Sequence, residues 1–374
     1  MFIDASVTSS EFFIDILFDI ITSDLFIPIT NLIFEFQNII QNPLPVNYRT
    51  LGKTNLKISE ISLGTWQVGG KWGDPFDFKN AEQILNKAVD GGVNFIDTAD
   101  VYGNEIGQSE TAVGRFVKSR SEKIYIATKC GRQINPHVNE GYQPKILRKY
   151  VEDSLTRMGL DTIDLIQLHC PPTEVYYRPE IFEEFDKLKD EGKIQNLGIS
   201  VEKVEEALKG IEFENVCTVQ IIFNMFRQRP SELFFEQAKK KNIGILARVP
   251  LASGLLTGKF SKESSFGQND HRFFNRNGEM FDKGETFSGI DYETGLQAVE
   301  ELKTVFKEKN MAQMALRWIL DFDAISCVIP GASHPEQVES NIGALNSPNL
   351  RPEQIIAIKG VYDKYIKPQV HQLW

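Results

Sequence analysis

The chain has 374 residues, of which 41% are hydrophobic and 25% charged, and its formal net charge is −10. This composition is typical of a folded globular protein and excludes an intrinsically disordered chain. Nucleic acid is excluded as the main partner because a net acidic chain without a basic patch offers no footprint for phosphates.

The charge is unevenly distributed along the chain. Residues 1–48 contain six acidic side chains and no Lys or Arg, which leaves 41 basic against 45 acidic side chains in the remainder, a balance of −4. We therefore predict an N-terminal extension over residues 1–46 and one catalytic domain over residues 47–374. A chain that begins near Val46 is expected to fold and react normally.

Residues 12–40 are apolar enough to suggest a membrane segment, but acidic residues and Pro28 interrupt them. No run of about 20 uncharged apolar residues survives, as a spanning helix would require. A signal peptide is not favoured either, since no positively charged residue precedes the apolar stretch. The extension is interpreted as a docked helical appendage, or as the product of a start codon assigned too far upstream.

The four cysteines are far apart and form no CxxC pair. Scattered thiols favour a reducing compartment over a disulfide framework. We therefore predict a cytoplasmic protein without a structural zinc site.

From Tyr48 onward, short β-rich runs alternate with amphipathic helical segments. Eight strands are predicted, at Ile61–Trp66, Asn94–Asp97, Ile124–Lys129, Ile163–His169, Asn196–Ser200, Cys217–Phe223, Ile243–Val249 and Ile325–Pro330. The predicted helices are Ala81–Val89, Glu110–Val117, Pro144–Met158, Glu180–Lys189, Val204–Lys209, Ser231–Lys241, Gly295–Lys309, Met311–Leu320 and Pro352–Ile366.

Eight strands that alternate with helices indicate parallel pairing and a closed (β/α)8 TIM barrel. The alternative is an open doubly wound sheet, which usually has a GxGxxG turn after its first strand, and this sequence has none there. Residues 260–292 form a long connection that leaves the C-terminal face of the predicted barrel. A loop of this length is functional or disordered.

Four polar residues end or follow the second, third and fourth predicted strands: Asp97, Tyr102, Lys129 and His169. In a barrel, the C-terminal ends of the strands meet at one mouth. An ammonium beside a phenol stabilises the phenolate, whereas burial opposes it. A carboxylate keeps the lysine charged, and imidazole can hold a substrate oxygen. Such a group suits protonation of an oxygen while hydride arrives at the adjacent carbon. A metal-dependent barrel lyase or isomerase is disfavoured, because no His/Asp/Glu cluster with ligand spacing ends the strands.

The sequence Asn94-Phe95-Ile96-Asp97-Thr98-Ala99, followed by Tyr102-Gly103, resembles the signature of the aldo-keto reductase family. Lys129 in Ile126-Ala127-Thr128-Lys129 and His169 in Asp164-Leu165-Ile166-Gln167-Leu168-His169 match the lysine and histidine of that family. The arrangement is most similar to the microbial stress-protein and channel-β-subunit-like branches. The resemblance implies a catalytic tetrad in which Tyr102 is the general acid in reduction.

The resemblance also implies a nicotinamide dinucleotide cofactor, usually NADPH, with NAD possible. Carried over by position, the cofactor-binding residues are Thr65, Trp66, Ser200, Gln220, Arg248, Leu251, Gly254, Ser333, Gln337 and Asn341. Thr65 and Trp66 are expected near the nicotinamide, Ser200 and Gln220 at its carboxamide, and Ser333 at the 2′-phosphate. No metal site is implied.

Some positions depart from the pattern of the family. Arg248 stands where relatives often have an aromatic ring that stacks on the nicotinamide, and Val201 stands where many have Asn. His334 replaces a common Arg or Lys near the 2′-phosphate, and Ser340 a common Glu near the adenine. These departures leave the preference for NADP over NAD open.

The function implied is NADP(H)-dependent reduction of an aldehyde or ketone, or the reverse oxidation of an alcohol or sugar. The alternative is an NADP(H)-binding regulatory or redox-sensing subunit with little turnover. The expected partner is a small carbonyl or sugar-like substrate, with no nucleic acid and no membrane, and the oligomeric state is left open.

Overall fold

Parallel strands alternate with helices along the part of the chain that the computed structural model describes, which is residues 46–69, 75–307 and 309–374. Val46–Trp374 fold as one compact unit. The predicted N-terminal extension lies outside the described residues except for its last residue, Val46. Among the helices that are described, none has the length and apolar character needed to cross a bilayer.

Eight strands pair in parallel, each with its neighbour in the chain. They are β3 Leu63–Gly64, β4 Phe95–Asp97, β5 Tyr125–Cys130, β6 Leu165–His169, β7 Leu197–Ser200, β8 Val216–Ile222, β9 Gly244–Arg248 and β10 Ile325–Ile329. Parallel bridges from Ile61 to Val328 and from Gly64 to Gly331 join the two ends of this sheet. The sheet is therefore a closed barrel, as predicted, and the open doubly wound alternative is wrong.

A short antiparallel hairpin precedes the barrel and is not predicted from the sequence. Its strands are β1 Tyr48–Thr50 and β2 Lys57–Ser59. Apolar residues of the hairpin, among them Leu51 and Ile58, pack in one cluster with Phe95, Leu165 and Leu246 of the barrel strands. This apolar cluster fills the barrel interior away from the polar strand ends. The C-terminal mouth is left for the polar residues.

The helices surround the barrel. They are α1 Phe78–Asp90, α2 Gln108–Ser119, α3 Pro144–Met158, α4 Pro179–Asp190, α5 Val204–Gly210, α6 Phe234–Lys240, α7 His271–Phe274, α8 Tyr292–Phe306, α9 Met311–Leu320, α10 Pro335–Ile342, α11 Pro352–Val361 and α12 Lys367–Val370.

The ends of α3 show why the sequence predicts this helix correctly. Pro144 occupies the first turn, where no backbone N–H is needed, and Gly159 closes the helix with φ +62°. Other helices differ from their predictions or are not predicted. Helix α6 starts at Phe234 and not at Ser231, because Arg229–Ser231 form a separate 3-10 turn. Helix α11 gives way at Tyr362 to a π turn, and α7, α10 and α12 are not predicted at all.

The long connection after β9 is folded onto the barrel. It contains α7 and two 3-10 turns, Lys283–Glu285 and Phe287–Gly289, and the side chains of Phe287 and Ile290 are buried in the main core. A connection with this much buried apolar surface has a defined conformation. Of the two alternatives for a loop of this length, functional or disordered, the functional one is therefore favoured.

Candidate active site

Asp97, Tyr102, Lys129 and His169 come together at the C-terminal mouth of the barrel. Asp97 ends β4, His169 ends β6, and Lys129 is the penultimate residue of β5. Tyr102 lies in the turn after β4, held by backbone hydrogen bonds from Tyr102 N to Ala99 O and from Ser109 N to Tyr102 O. The sequence thus delivers four functional groups from three neighbouring strands.

Lys129 is the centre of the group. Its ammonium donates hydrogen bonds to Asp97 Oδ2 at 2.5 Å, to the Thr98 carbonyl at 2.8 Å and to the Tyr102 hydroxyl oxygen at 3.2 Å. The side chains of Lys129 and Asp97 are almost completely buried. Since the phenol oxygen accepts from Lys129, its own proton remains available for donation to a substrate.

The burial of the site changes how readily its groups ionise. Burial raises the pKa of Tyr102 above its usual value, and the nearby Lys129 only partly opposes this. Burial alone would lower the pKa of Lys129, but Asp97 and Tyr102 together raise it. Burial and then Arg132 hold the pKa of His169 well below its usual value. Near neutral pH the site therefore has a protonated phenol, a charged ammonium and a neutral imidazole.

Two glutamines support Asp97 from inside the barrel. Gln220 Nε2 donates to Asp97 Oδ1 at 2.8 Å, and Gln167 Nε2 donates to the same oxygen at 3.2 Å. Gln220 is predicted at the cofactor carboxamide. Its Nε2 also donates to Gln167 Oε1 at 3.4 Å, so both N–H groups are engaged and this contact would use Oε1. Gln167 has no predicted role, although its place two residues before His169 could have indicated one.

Aromatic rings form one wall of the mouth. Trp66 stacks on Tyr102 with centroids 6.2 Å apart, and Tyr102 meets His169 edge-on at 6.0 Å. From the long connection, His271 and Phe281 cover Trp66 at 4.9 and 6.2 Å. The sequence does not single out His271 or Phe281, because their distance from the motif residues along the chain hides their contact with Trp66.

Arg248 ends β9 inside a buried network of charges. Its guanidinium lies 2.9 Å from Glu202 and 3.8 Å from Glu285, and it donates to the Val201 carbonyl at 3.1 Å. Arg132 shares the same two glutamates, at 3.4 Å from Glu285 and 3.9 Å from Glu202. Burial raises the pKa of Glu202 to about 7, against the effect of Arg248. Of the four charged residues in this network, only Arg248 is assigned a role from the sequence.

The same network bears on the prediction that no metal is bound. Among the described residues, the ligand atoms of Cys170, Glu202 and Glu285 lie within 4.8 Å of one another. Glu285 belongs to the long connection and not to a strand end, so this group does not contradict the argument from the strand ends, and the absence of a metal stays a prediction. The guanidinium groups of Arg248 and Arg132 already pair with both carboxylates, so their positive charge stands where a metal ion would.

The remaining predicted cofactor residues lie at or after the ends of four strands, β3, β7, β9 and β10. Thr65, after β3, donates its hydroxyl to the Asp97 carbonyl, and Ser200 ends β7 as a buried residue. Leu251 precedes the 3-10 turn Ala252–Thr257, in which Gly254 has φ +98°.

The segment after β10 contains the last three predicted cofactor residues. Ser333 N donates to Gln337 Oε1 at 2.7 Å, and Asn341 Nδ2 donates to the Gly331 carbonyl at 3.3 Å.

Two observations fit a dinucleotide at this mouth. His169 Nδ1 and Arg248 Nε are buried and have no hydrogen-bond partner among the described residues. The mouth also has cationic, hydroxyl and amide groups, which are the donors that phosphates and a carboxamide need. The residues present are therefore compatible with NADP(H).

His271 makes the stability of this mouth depend on pH. Burial lowers the pKa of His271 from 6.5 to about 4, so an unfolded chain binds a proton here that the folded chain excludes. Between pH 7 and pH 4.5 this one group should lower the free energy of unfolding by about 2 kcal/mol. In His271→Gln that part of the loss should disappear, as measured by urea unfolding at both pH values. An equal loss in parent and variant would contradict this assignment.

The chain is similar to known proteins in sequence and in fold. The model of the Aldo/keto reductase family matches residues 60–363. The uncharacterized oxidoreductase YqkF of Bacillus subtilis is 32% identical over 83% of this chain and 95% of that protein. A probable voltage-gated potassium channel subunit beta of Arabidopsis thaliana is 29% identical over 84% of this chain and 98% of that protein. The structure of the glycerol dehydrogenase AKR11B4 from Gluconobacter oxydans has a TM-score of 0.70 and 31% identity, and it covers 86% of this chain and 96% of its own.

Proposed function

The chain belongs to the aldo/keto reductase family, and from this membership we propose that it is an NADP(H)-dependent enzyme that reduces an aldehyde or ketone to an alcohol, or catalyses the reverse oxidation. The observation that carries the proposal is the contact of Lys129 with both Asp97 and Tyr102. The four cysteines are free and buried, which supports a reducing, cytoplasmic location.

In the proposed mechanism, residues of this chain donate a proton to the substrate and stabilise the negative charge that the donor then carries. A bound NADPH supplies hydride to the carbonyl carbon. Tyr102 donates its phenol proton to the carbonyl oxygen, and Lys129 stabilises the phenolate that remains. Neutral His169 orients the carbonyl oxygen by a hydrogen bond, because its low pKa leaves one ring nitrogen as a donor and the other as an acceptor.

For the cofactor, we propose that Arg248 lies against the nicotinamide and that Ser333 contacts the 2′-phosphate. The planar guanidinium can stack on a ring, and the ion pair with Glu202 offsets its charge. The segment from β10 to α10 supplies Ser333 and the amide of Gln337. Within the described part of the chain, no Arg or Lys forms a hydrogen bond with Ser333. The Ser333 hydroxyl can hydrogen-bond a 2′-phosphate but adds no positive charge beside it. We therefore expect a preference for NADPH with measurable use of NADH.

The proposal is tested by a panel of aldehydes, ketones and sugars with NADPH and with NADH, followed by loss of absorbance of the reduced nicotinamide. We expect turnover of one or more carbonyl compounds and a higher kcat/KM for NADPH than for NADH. The resemblance to channel beta subunits supports a second candidate, an NADP(H)-binding regulatory subunit. Tight binding of NADPH without turnover across the panel would favour that candidate.

A further inference from the structure

Trp374 is buried although it takes no part in the site described above. Its side chain is 5% exposed, at the end of a segment formed by the π turn Tyr362–Ile366 and α12. The indole lies between the side chain of Arg227 and the backbone of the long connection after β9. Both neighbours are connected to the buried network of charges that contains Arg248, Glu202 and Glu285.

The contact with Arg227 is a buried cation–π pair. The guanidinium carbon of Arg227 is 4.0 Å from the centroid of the Trp374 ring, and Arg227 is itself buried. Burial lowers the pKa of Arg227 to about 9, so the guanidinium is still charged at neutral pH. Cation–π pairs are strongest when both partners are removed from water.

The contact with the long connection involves two glycines. A Cβ atom on Gly289 would approach the Trp374 ring to 2.3 Å, and one on Gly284 would approach it to 2.9 Å. Real Cβ atoms do not come so close to a ring, so the loop backbone can lie on the indole only because these residues have no side chain. The position of the backbone at residues 284–289 therefore depends on the position of the indole ring.

Each neighbour of Trp374 is joined to one glutamate of the network. Arg227 Nη2 donates to the Glu202 carbonyl at 3.0 Å, and Gly284 directly precedes Glu285. Glu202 and Glu285 are the two carboxylates that pair with Arg248. A shift of the indole would therefore be transmitted to both partners of one guanidinium.

We propose that Trp374 is a positioning residue, which holds Glu202 and Glu285 on Arg248 through Arg227 and the Gly284–Gly289 backbone and so sets the affinity for the cofactor. The step from Arg248 to the cofactor rests on the proposed function. The step from Trp374 to the loop does not, and it can be measured without a cofactor.

The first test compares Trp374→Ala with the parent in the full chain. We expect the Kd for NADPH, measured by calorimetry, to rise about tenfold, because Glu202 and Glu285 are then no longer held on Arg248. The kcat at saturating cofactor should stay within about threefold, as a loss of binding predicts. Amide hydrogen exchange over residues 282–289 should become faster in the variant without cofactor.

Two control variants separate this effect from a general loss of stability. Leu373→Ala alters a neighbour that is 46% exposed and should change neither exchange nor affinity. Trp374→Phe keeps an aromatic face for Arg227 and should restore most of the affinity. Gly289→Ala should weaken NADPH binding in the parent and weaken it less in Trp374→Ala, because the nearest atoms to its Cβ all belong to the indole, while the strain of Ala at φ +79° is common to both backgrounds.

The outcomes are distinguishable. The proposal is overturned if Trp374→Ala lowers thermal stability but leaves both the Kd for NADPH and the exchange of residues 282–289 unchanged. A parent that binds no NADPH would defeat the proposed function. Faster exchange in Trp374→Ala would then still support the contact between the indole and the loop, and unchanged exchange would refute it.

Discussion

Replacement of Tyr102 by Phe is expected to reduce carbonyl turnover by about 10²–10⁴-fold, the usual contribution of a positioned proton donor. The variant loses the hydroxyl that accepts from Lys129 at 3.2 Å and would donate to the substrate. The ring that stacks on Trp66 is retained, so the walls of the mouth keep their shape. NADPH binding should therefore persist within a few-fold of the parent.

The measurement is steady-state kinetics beside calorimetric titration with NADPH. Tyr177→Phe is the matched control, since Tyr177 is 65% exposed and contacts Lys209 at the surface. This control should leave turnover unchanged. Parental rates in Tyr102→Phe would remove Tyr102 from the role of general acid and would require another proton donor at the mouth.

Replacement of Asp97 by Ala should have the largest effect on stability. The change leaves the buried ammonium of Lys129 without its counter-ion at 2.5 Å and removes the acceptor of Gln220 and Gln167. Breaking a buried ion pair by deleting one partner costs about 3–5 kcal/mol. We expect a loss of this size in the free energy of unfolding by urea, together with loss of turnover.

The double variant Asp97→Ala/Lys129→Met is the control for this assignment. It removes the uncompensated charge, so it should be more stable than Asp97→Ala alone, although equally inactive. If the double variant were the less stable of the two, the buried charge would not be the source of the loss. A loss below about 1 kcal/mol in Asp97→Ala would indicate that water reaches Lys129.

The sequence alone predicts the barrel and the group of four catalytic candidates. Eight β-rich runs separated by amphipathic segments are a local pattern, and each is confirmed as a strand within a few residues of its predicted bounds. Asp97, Lys129 and His169 could be placed at one mouth because the carboxyl ends of parallel strands meet there. Tyr102 lies only five residues beyond Asp97, so it had to be close.

The tertiary structure decides what surrounds these residues. Glu202 and Glu285 are 83 positions apart in the chain and share Arg248, while His271 covers Trp66 from the long connection. The balance of burial against the charge of Lys129, which leaves the pKa of Tyr102 raised, also depends on packing. Periodicity and short motifs report how a segment is folded, because they arise from contacts within it. Contacts between distant segments, such as that of Trp374 with Gly284 and Gly289, depend on how the loops fold over the barrel, and no local pattern encodes them.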